Sequence, residues 1–187
     1  MVLFTALMVV VVLFPISEIV LAVLMRATPT GARVEDRGSM RLLWVAISFG
    51  VGAAIVTQSL VPLPGTPAIL RILALVLIVG GLSIRWAAIV TLGRFFTVNV
   101  AIHVQQPVIK TGVYRFIRHP SYAGLLLSFV GLGVFFASWL SLVFLLVPIT
   151  AAVMNRIVKE EAVLLVSLGK PYAEYCARTK RLIPGVL

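Results

Sequence analysis

The residues best suited to chemistry lie in the second half of the chain, where polar segments interrupt the apolar runs. His119 and Pro120 come directly before such a run. Proline suits the first turn of a helix and keeps the residue before it out of the helical conformation. The pair therefore predicts a helix that starts near Pro120 or Ser121. Its free N–H groups and partial positive charge would suit a carboxylate.

Arg156 and Glu160 form a second candidate pair, because they lie one helical turn apart and would share a helix face. A guanidinium can hold a carboxylate through two parallel hydrogen bonds. A carboxylate can hold an ammonium or hydroxyl group through charge-assisted hydrogen bonds. Each residue also has a structural explanation: Arg156 could anchor a helix at the membrane surface, and Glu160 with Glu161 could form a solvated acidic pair.

The elements that must position these residues are strongly apolar. The chain has 187 residues, of which 61% are hydrophobic and 12% are charged. Soluble domains average roughly 45–50% apolar and about 25% charged residues. The composition therefore excludes an ordinary soluble domain and predicts a single all-α integral membrane domain over residues 1–187.

The formal net charge of +10 would suit a nucleic-acid partner, but its distribution favours a membrane. The basic residues cluster in short segments between apolar runs, as the positive-inside rule requires. We therefore expect membrane lipids and no nucleic acid as partners of these charges. Cys176 is the only cysteine, and His103 and His119 are the only histidines. They are too few for a convincing metal cluster, so no metal is expected.

Five apolar runs predict about five transmembrane helices. The first run has no charged start and no clear cleavage site, so we interpret it as a retained span. The last two are short for a full crossing and predict a helix hairpin, whose second helix could continue into the cytosol. Residues 1–91 would hold three helices, and residues 92–187 the connector, hairpin and tail. The five runs are Val2 to Leu24, Leu42 to Leu63, Ala68 to about Thr91, Tyr122 to about Ala137, and Leu140 to about Asn155.

Lysine and arginine predict the orientation of these helices. The loop after the first helix, the connector over residues 93–118 and the tail over residues 156–187 are basic. The turns at residues 62–67 and 138–139 carry no charge. Five crossings put every basic segment on the cytosolic side, with the N-terminus outside and the C-terminus inside. The tail is amphipathic, and Gly169 predicts the end of one helix before another short one begins.

Together these motifs resemble the isoprenylcysteine carboxyl methyltransferase family, which is related to the phospholipid methyltransferases. The family's members are membrane enzymes that use S-adenosylmethionine. The resemblance implies that cofactor, with S-adenosylhomocysteine as product. It also implies a lipophilic or prenylated, isoprenylcysteine-like acceptor whose carboxylate receives the methyl group. The matching segments are residues 92–96, 108–114, 118–122, 156–161, 168–175 and 181–184.

The resemblance also implies roles for individual residues. Arg156 matches the arginine that orients the substrate carboxylate, and Glu160 matches the acid that binds the cofactor. Gln106 stands where the family usually has a histidine, which puts a side-chain role in doubt at that position. Tyr172 and Tyr175 are expected to pack the tail over the pocket. The rest of the implied cofactor site is Gln106, Pro107, Val108, Ile109, Tyr114, His119, Pro120, Ser121 and Tyr122.

Three other functions fit parts of the same sequence. A phospholipid amine N-methyltransferase would share the cofactor motif, but an amine must be neutral to attack, and Arg156 favours a carboxylate. A non-catalytic membrane scaffold would explain the charges as topology signals, and a membrane reductase would use a nicotinamide cofactor. The sequence leaves open the acceptor, the oligomeric state and the roles of Glu18, His103 and Gln106.

Overall fold

A computed structural model describes residues 2–24, 32–36, 38–96, 100–103 and 107–185. Within these ranges, three helices are long and apolar enough to cross a membrane, and two shorter apolar stretches cover residues 7–21 and 120–135. The prediction of a membrane protein built from helices is confirmed. The elements are α1 (Val2–Leu24), β1 (Ala32–Asp36), α2 (Gly38–Thr57), α3 (Pro67–Leu92), β2 (Val100–His103), α4 (Pro120–Phe135), α5 (Trp139–Leu168) and α6 (Lys170–Arg178).

The helix that follows the His119-Pro120 pair begins where the sequence predicts. Pro120 is the first residue of α4, and His119 has φ −123° and ψ 59°, outside the helical region. The next helix, α5, does continue past its apolar run, because it extends over 30 residues to Leu168. One helix therefore carries both the apolar residues of the hairpin and the polar residues Arg156 and Glu160.

Helix α2 departs from its predicted bounds of Leu42 to Leu63. It begins at Gly38 and ends at Thr57. Its first turn contains Ser39, which is fully buried and accepts a hydrogen bond from α5, so packing extends the helix into the polar loop. At the other end, Pro62 has no backbone N–H to donate to the carbonyl of residue 58, and its ring clashes with that carbonyl in a continuing helix, so α2 does not reach Leu63.

A two-stranded ribbon is the feature that the all-α prediction missed. Strands β1 and β2 pair antiparallel, with Arg33 opposite Ile102 and Val34 opposite Ala101. The strands come from two different loops, so no tight hairpin turn announces them in the sequence. Their pairing joins the segment before α2 to the connector after α3.

The uncharged turns meet at the opposite end of the bundle. The backbone N–H of Leu63 donates to the carbonyl of Ala137 at 2.8 Å, and the hydroxyl of Ser138 donates to the carbonyl of Thr57 at 3.1 Å. The α2–α3 turn therefore lies against the α4–α5 turn. These two turns carry no charged residue, whereas the described part of the connector at the other end carries Arg94, Lys110, Arg115 and Arg118.

Glycines let α3 and α4 approach each other closely. A Cβ atom at Gly124 would lie 2.5 Å from the carbonyl oxygen of Gly81, and one at Gly131 would lie 2.7 Å from a side-chain carbon of Ile78. Any larger residue would push the two helices apart. Small residues at such close contacts are common in membrane proteins. A Cβ at Gly80 would meet nothing within 4 Å, so only Gly81 of the predicted pair serves this packing.

One stripe of α5 forms the centre of the core. Leu145, Ile149, Val153 and Ile157 are fully buried, and their spacing of four residues places them along one helix face. Arg156 directly precedes Ile157 in the helix. Burial of the stripe therefore limits the direction in which the Arg156 side chain can point.

Candidate active site

A cavity of about 400 Å³ opens between the helices and the connector. Its volume lies within the range of small-molecule sites, about 300–1,000 Å³. Its polar arm is lined by the connector, the start of α4, the middle of α5 and the α6 tyrosines. Its apolar arm runs between α1, α2 and the end of α4. The apolar arm is lined by residues that include Phe14, Ile47, Val51, Ile55, Leu132 and Phe136.

Tyr122 joins the two candidate residues of α5. The Arg156 Nε donates to the Tyr122 Oη at 2.7 Å, and that hydroxyl donates to the Glu160 Oε2 at 2.7 Å. Arg156 also donates from Nη1 to the Ser39 Oγ at 3.0 Å, which ties α5 to α2. Arg156 is 2% exposed, whereas the side chain of Glu160 is 29% exposed. A buried cation and a partly open carboxylate therefore face one cavity.

The imidazole of His119 lies between two acids of α5. Its Nδ1 is 3.9 Å from the Glu160 Oε1, and its Nε2 is 3.2 Å from the Glu161 Oε1. Its backbone N–H donates to the carbonyl of Arg181 at 2.9 Å, and its own carbonyl accepts from the N–H of Tyr122 at 3.1 Å. The turn before α4 is therefore held by α5 on one side and by the tail on the other.

Glu161 has partners that the sequence did not predict. It accepts hydrogen bonds from the Arg118 Nε at 2.9 Å and from the Arg181 Nη2 at 2.7 Å, in addition to its contact with His119. Its side chain is 9% exposed. We call Glu161, Arg118, His119 and Arg181 the Glu161 clamp. The clamp joins the connector, α5 and the tail at one carboxylate.

The tail closes the polar arm, as predicted from its tyrosines. Tyr172 and Tyr175 are buried and line the cavity. The Tyr175 Oη donates to the carbonyl of Tyr114 at 2.6 Å. Burial raises the pKa of Tyr175 to about 12, and it also raises the pKa values of Tyr114 and Tyr172 above their usual range. All three phenols are therefore neutral hydrogen-bond donors near neutral pH.

Most of the predicted site residues meet around this cavity. Pro120 begins α4 and is not part of the cavity wall. Gln106 lies outside the described residues, and His103 belongs to β2. The predicted residues that do line the cavity are Pro107, Val108, Ile109, Tyr114, His119, Ser121, Tyr122, Arg156 and Glu160.

Three charged residues outside the predicted site also line the cavity. One is Arg118 of the Glu161 clamp. The other two are Glu18, whose role the sequence leaves open, and Arg85, to which the sequence assigns no role. Arg85 of α3 binds both carboxylate oxygens of Glu18 of α1, at 2.5 and 2.6 Å. It also donates from Nη1 to the Ser121 Oγ at 2.8 Å. A charge in an apolar span is costly unless it is paired. The presence of Glu18 and Arg85 inside apolar runs is therefore a sequence signal that each of them has a partner. No spacing rule, however, joins residues that lie 67 positions apart.

Comparison with known proteins assigns the family. The profile of the isoprenylcysteine carboxyl methyltransferase (ICMT) family matches residues 72–166, which include Tyr122, Arg156 and Glu160. The chain belongs to the ICMT family. Its relatives include the probable protein-S-isoprenylcysteine O-methyltransferase of Oryza sativa subsp. indica and the protein-S-isoprenylcysteine O-methyltransferase A of Arabidopsis thaliana. Each is 37% identical over 114 residues.

The relatives are longer than the matched region. The match covers 60% of this chain, 60% of the rice protein and 58% of the Arabidopsis protein. The chain therefore spans about three fifths of the length of the curated relatives it matches. Family membership is a statement about this shared part.

A solved structure shares the fold over nearly the whole chain. The eukaryotic intramembrane Ras methyltransferase ICMT, solved without a monobody, superposes with a TM-score of 0.67. The superposition covers 98% of this chain and 67% of that protein, at 23% sequence identity. The comparison confirms the membrane fold that the sequence predicts.

Proposed function

We propose that this chain is a membrane methyltransferase that uses S-adenosylmethionine. Its acceptor would be the carboxylate of a lipophilic, isoprenylcysteine-like molecule. The observation that carries the proposal is one cavity with an apolar and a polar arm, in which Arg156 and Glu160 are joined through Tyr122. Membership of the ICMT family supports the same reaction.

The polar arm has groups that suit S-adenosylmethionine. Glu160 has a partly exposed carboxylate, which can accept charge-assisted hydrogen bonds from an ammonium or from ribose hydroxyls. Residues 107–109, Tyr114 and His119 line the same arm. The bound cofactor would supply an electrophilic methyl group on a cationic sulfur. Closure of the arm by Tyr172 and Tyr175 would exclude water from that group.

Arg156 suits the carboxylate of the acceptor. Its guanidinium is held by Tyr122 and Ser39, so its orientation is set before a substrate binds. An acceptor carboxylate would accept hydrogen bonds from the same guanidinium that donates to the hydroxyls of Tyr122 and Ser39. Because a carboxylate is ionised near neutral pH, the site needs no general base. Arg156 would align the acceptor, and the apolar arm would take its lipid chain.

We also propose five crossings, with the N-terminus outside and the site and C-terminus in the cytosol. The support is the separation of a basic end from an uncharged end. Helix α5 would be about 45 Å long, which exceeds a hydrocarbon core of about 30 Å. Its last turns would therefore carry Glu160 and Glu161 to the cytosolic surface, and the whole chain would form one domain.

Calorimetric binding of S-adenosylmethionine and S-adenosylhomocysteine to the purified protein tests the cofactor. We expect both ligands to bind. Methylation of S-farnesylcysteine, compared with phosphatidylethanolamine, then tests the acceptor, and we expect transfer to the carboxylate. Transfer to the amine lipid alone would establish the N-methyltransferase alternative. A folded protein that bound neither ligand would overturn the proposal and favour a scaffold.

A further inference from the structure

A buried ion pair lies on the α1–α3 side of the cavity. The side chains of Arg85 and Glu18 are 10% and 15% exposed, and both belong to apolar helices. Replacement of such a pair by apolar residues is often neutral or stabilising in proteins. Stability alone is therefore a weak reason for two charges at this place, and their position on the cavity wall suggests a role in the site.

The guanidinium of Arg85 links α1 to the first turn of α4. Its Nε and Nη2 donate to Glu18. Its Nη1 donates to the Ser121 side chain at 2.8 Å and to the Ser121 carbonyl at 3.3 Å. Glu18 neutralises the cation and fixes the plane of its fork, so that Nη1 points at Ser121.

The first turn of α4 is thus held by two arginine networks at adjacent residues. Ser121 is held by Arg85 from α3, and Tyr122 is held by Arg156 from α5. The Arg156 network continues to Ser39 of α2. The networks belong to different helices, so they can be altered separately.

We propose that Arg85 is a positioning residue for the methyl donor, acting through Ser121, with Glu18 as the group that orients Arg85. This inference rests on the proposed function, with Arg156 in the acceptor site, and on the family resemblance, which implies that Ser121 belongs to the donor site. Loss of Arg85 should weaken donor binding, because the Ser121 side of the turn loses its tether. The affinity for the acceptor carboxylate, which Arg156 would hold, should change little.

The test uses the double variant Glu18→Leu/Arg85→Met, which removes the tether without leaving an unpaired buried charge. We expect the Kd for S-adenosylhomocysteine to rise about 10-fold or more, since hydrogen bonds to charged groups contribute that much. The KM for S-farnesylcysteine should stay within about 3-fold of wild type. The melting temperature should shift by only a few degrees, because the replacement is apolar.

Two single variants complete the comparison. Ser39→Ala removes a partner of Arg156 and should give the opposite pattern, with a raised KM for the acceptor and an unchanged Kd for the donor. Ser17→Ala is the control. The hydroxyl of Ser17, next to Glu18 in the chain, donates to the carbonyl of Phe14, and its loss should leave both constants at their wild-type values.

A folded double variant with wild-type donor affinity would overturn the inference, and so would equal losses for donor and acceptor. A wild-type protein that bound no donor would overturn the proposed function and this inference together. If the double variant does not fold, Arg85→Lys is measured instead, because it keeps the charge and loses the fork. It should weaken donor binding by about 3- to 10-fold, and wild-type affinity there would also overturn the inference.

Discussion

The two acids near the C-terminal end of α5 are adjacent in sequence and lie in different surroundings. Glu160 accepts a hydrogen bond from Tyr122, and its side chain is 29% exposed towards the cavity. Glu161 is 9% exposed and is surrounded by Arg118, His119 and Arg181. The first carboxylate has room for a ligand, whereas the second is already occupied by groups of the protein.

This difference separates binding from architecture within one Glu-Glu motif. Residues 160 and 161 point in directions about 100° apart on a helix, so one faces the cavity and the other faces the connector and the tail. We therefore expect substitution of Glu160 to alter ligand binding with little effect on the fold. Substitution of Glu161 should alter the fold first.

Glu161→Gln should have the largest effect on stability. The change leaves Arg118 and His119 beside a neutral amide in a buried site, and loss of one partner of a buried pair typically costs about 3–5 kcal/mol. Chemical unfolding in detergent should show a loss of about this size, and limited proteolysis should cut the tail after α5. An unchanged free energy of unfolding would mean that the Glu161 clamp does not hold the tail.

Glu160→Gln should have its main effect on ligand affinity. The change keeps the shape and the hydrogen bond from Tyr122 and removes the charge. The Kd for S-adenosylmethionine should rise about 10- to 100-fold, and the free energy of unfolding should stay within about 1 kcal/mol of wild type. Glu174→Gln, at an exposed acid of α6, is the matched control and should bind as wild type does. Equal affinity of Glu160→Gln and Glu174→Gln would remove Glu160 from the binding site.

Local sequence rules were sufficient for features that depend on neighbours in the chain. The start of α4 at Pro120 follows from proline geometry, and the shared face of Arg156 and Glu160 follows from helical periodicity. The end of α5 at Gly169 follows from the backbone preference of glycine, whose φ here is 58°. Each of these inferences spans one helical turn or less.

The contacts between helices could not be predicted in the same way. Tyr122 lies between Arg156 and Glu160, although it is 34 residues from the first of them in sequence. The partners of Glu161 come from the connector and the tail. Such contacts depend on the depth and rotation at which helices pack. That packing is set by close approaches such as Gly81 against Gly124, which a single sequence shows as residue types and not as pairs.

Gly81→Ala should disturb both acids at once, which sharpens the contrast between them. The added methyl group would push α4 away from α3, and α4 follows His119 of the clamp and carries Tyr122 of the cavity. Overpacking of this kind typically costs about 1–3 kcal/mol. Both the free energy of unfolding and the donor affinity should fall. Gly80→Ala, where a Cβ meets nothing within 4 Å, should lower neither quantity, since alanine is the better helix former. Equal losses in the two variants would contradict the packing argument.

Tyr175→Phe should give the smallest effect and shows how much of the tail's attachment lies outside the Glu161 clamp. The change removes the hydrogen bond to the carbonyl of Tyr114, which is worth about 1 kcal/mol.

The pKa of Tyr175 in the folded protein is about 12, above the usual value of about 10. The phenol is therefore neutral in the folded state at pH values where the unfolded chain has already lost the proton. Wild-type stability should then fall as the pH rises from about 10 through about 12. Unfolding midpoints across that window should fall less steeply in Tyr175→Phe, and identical slopes would mean that this phenol ionises as readily in the folded chain as in the unfolded one.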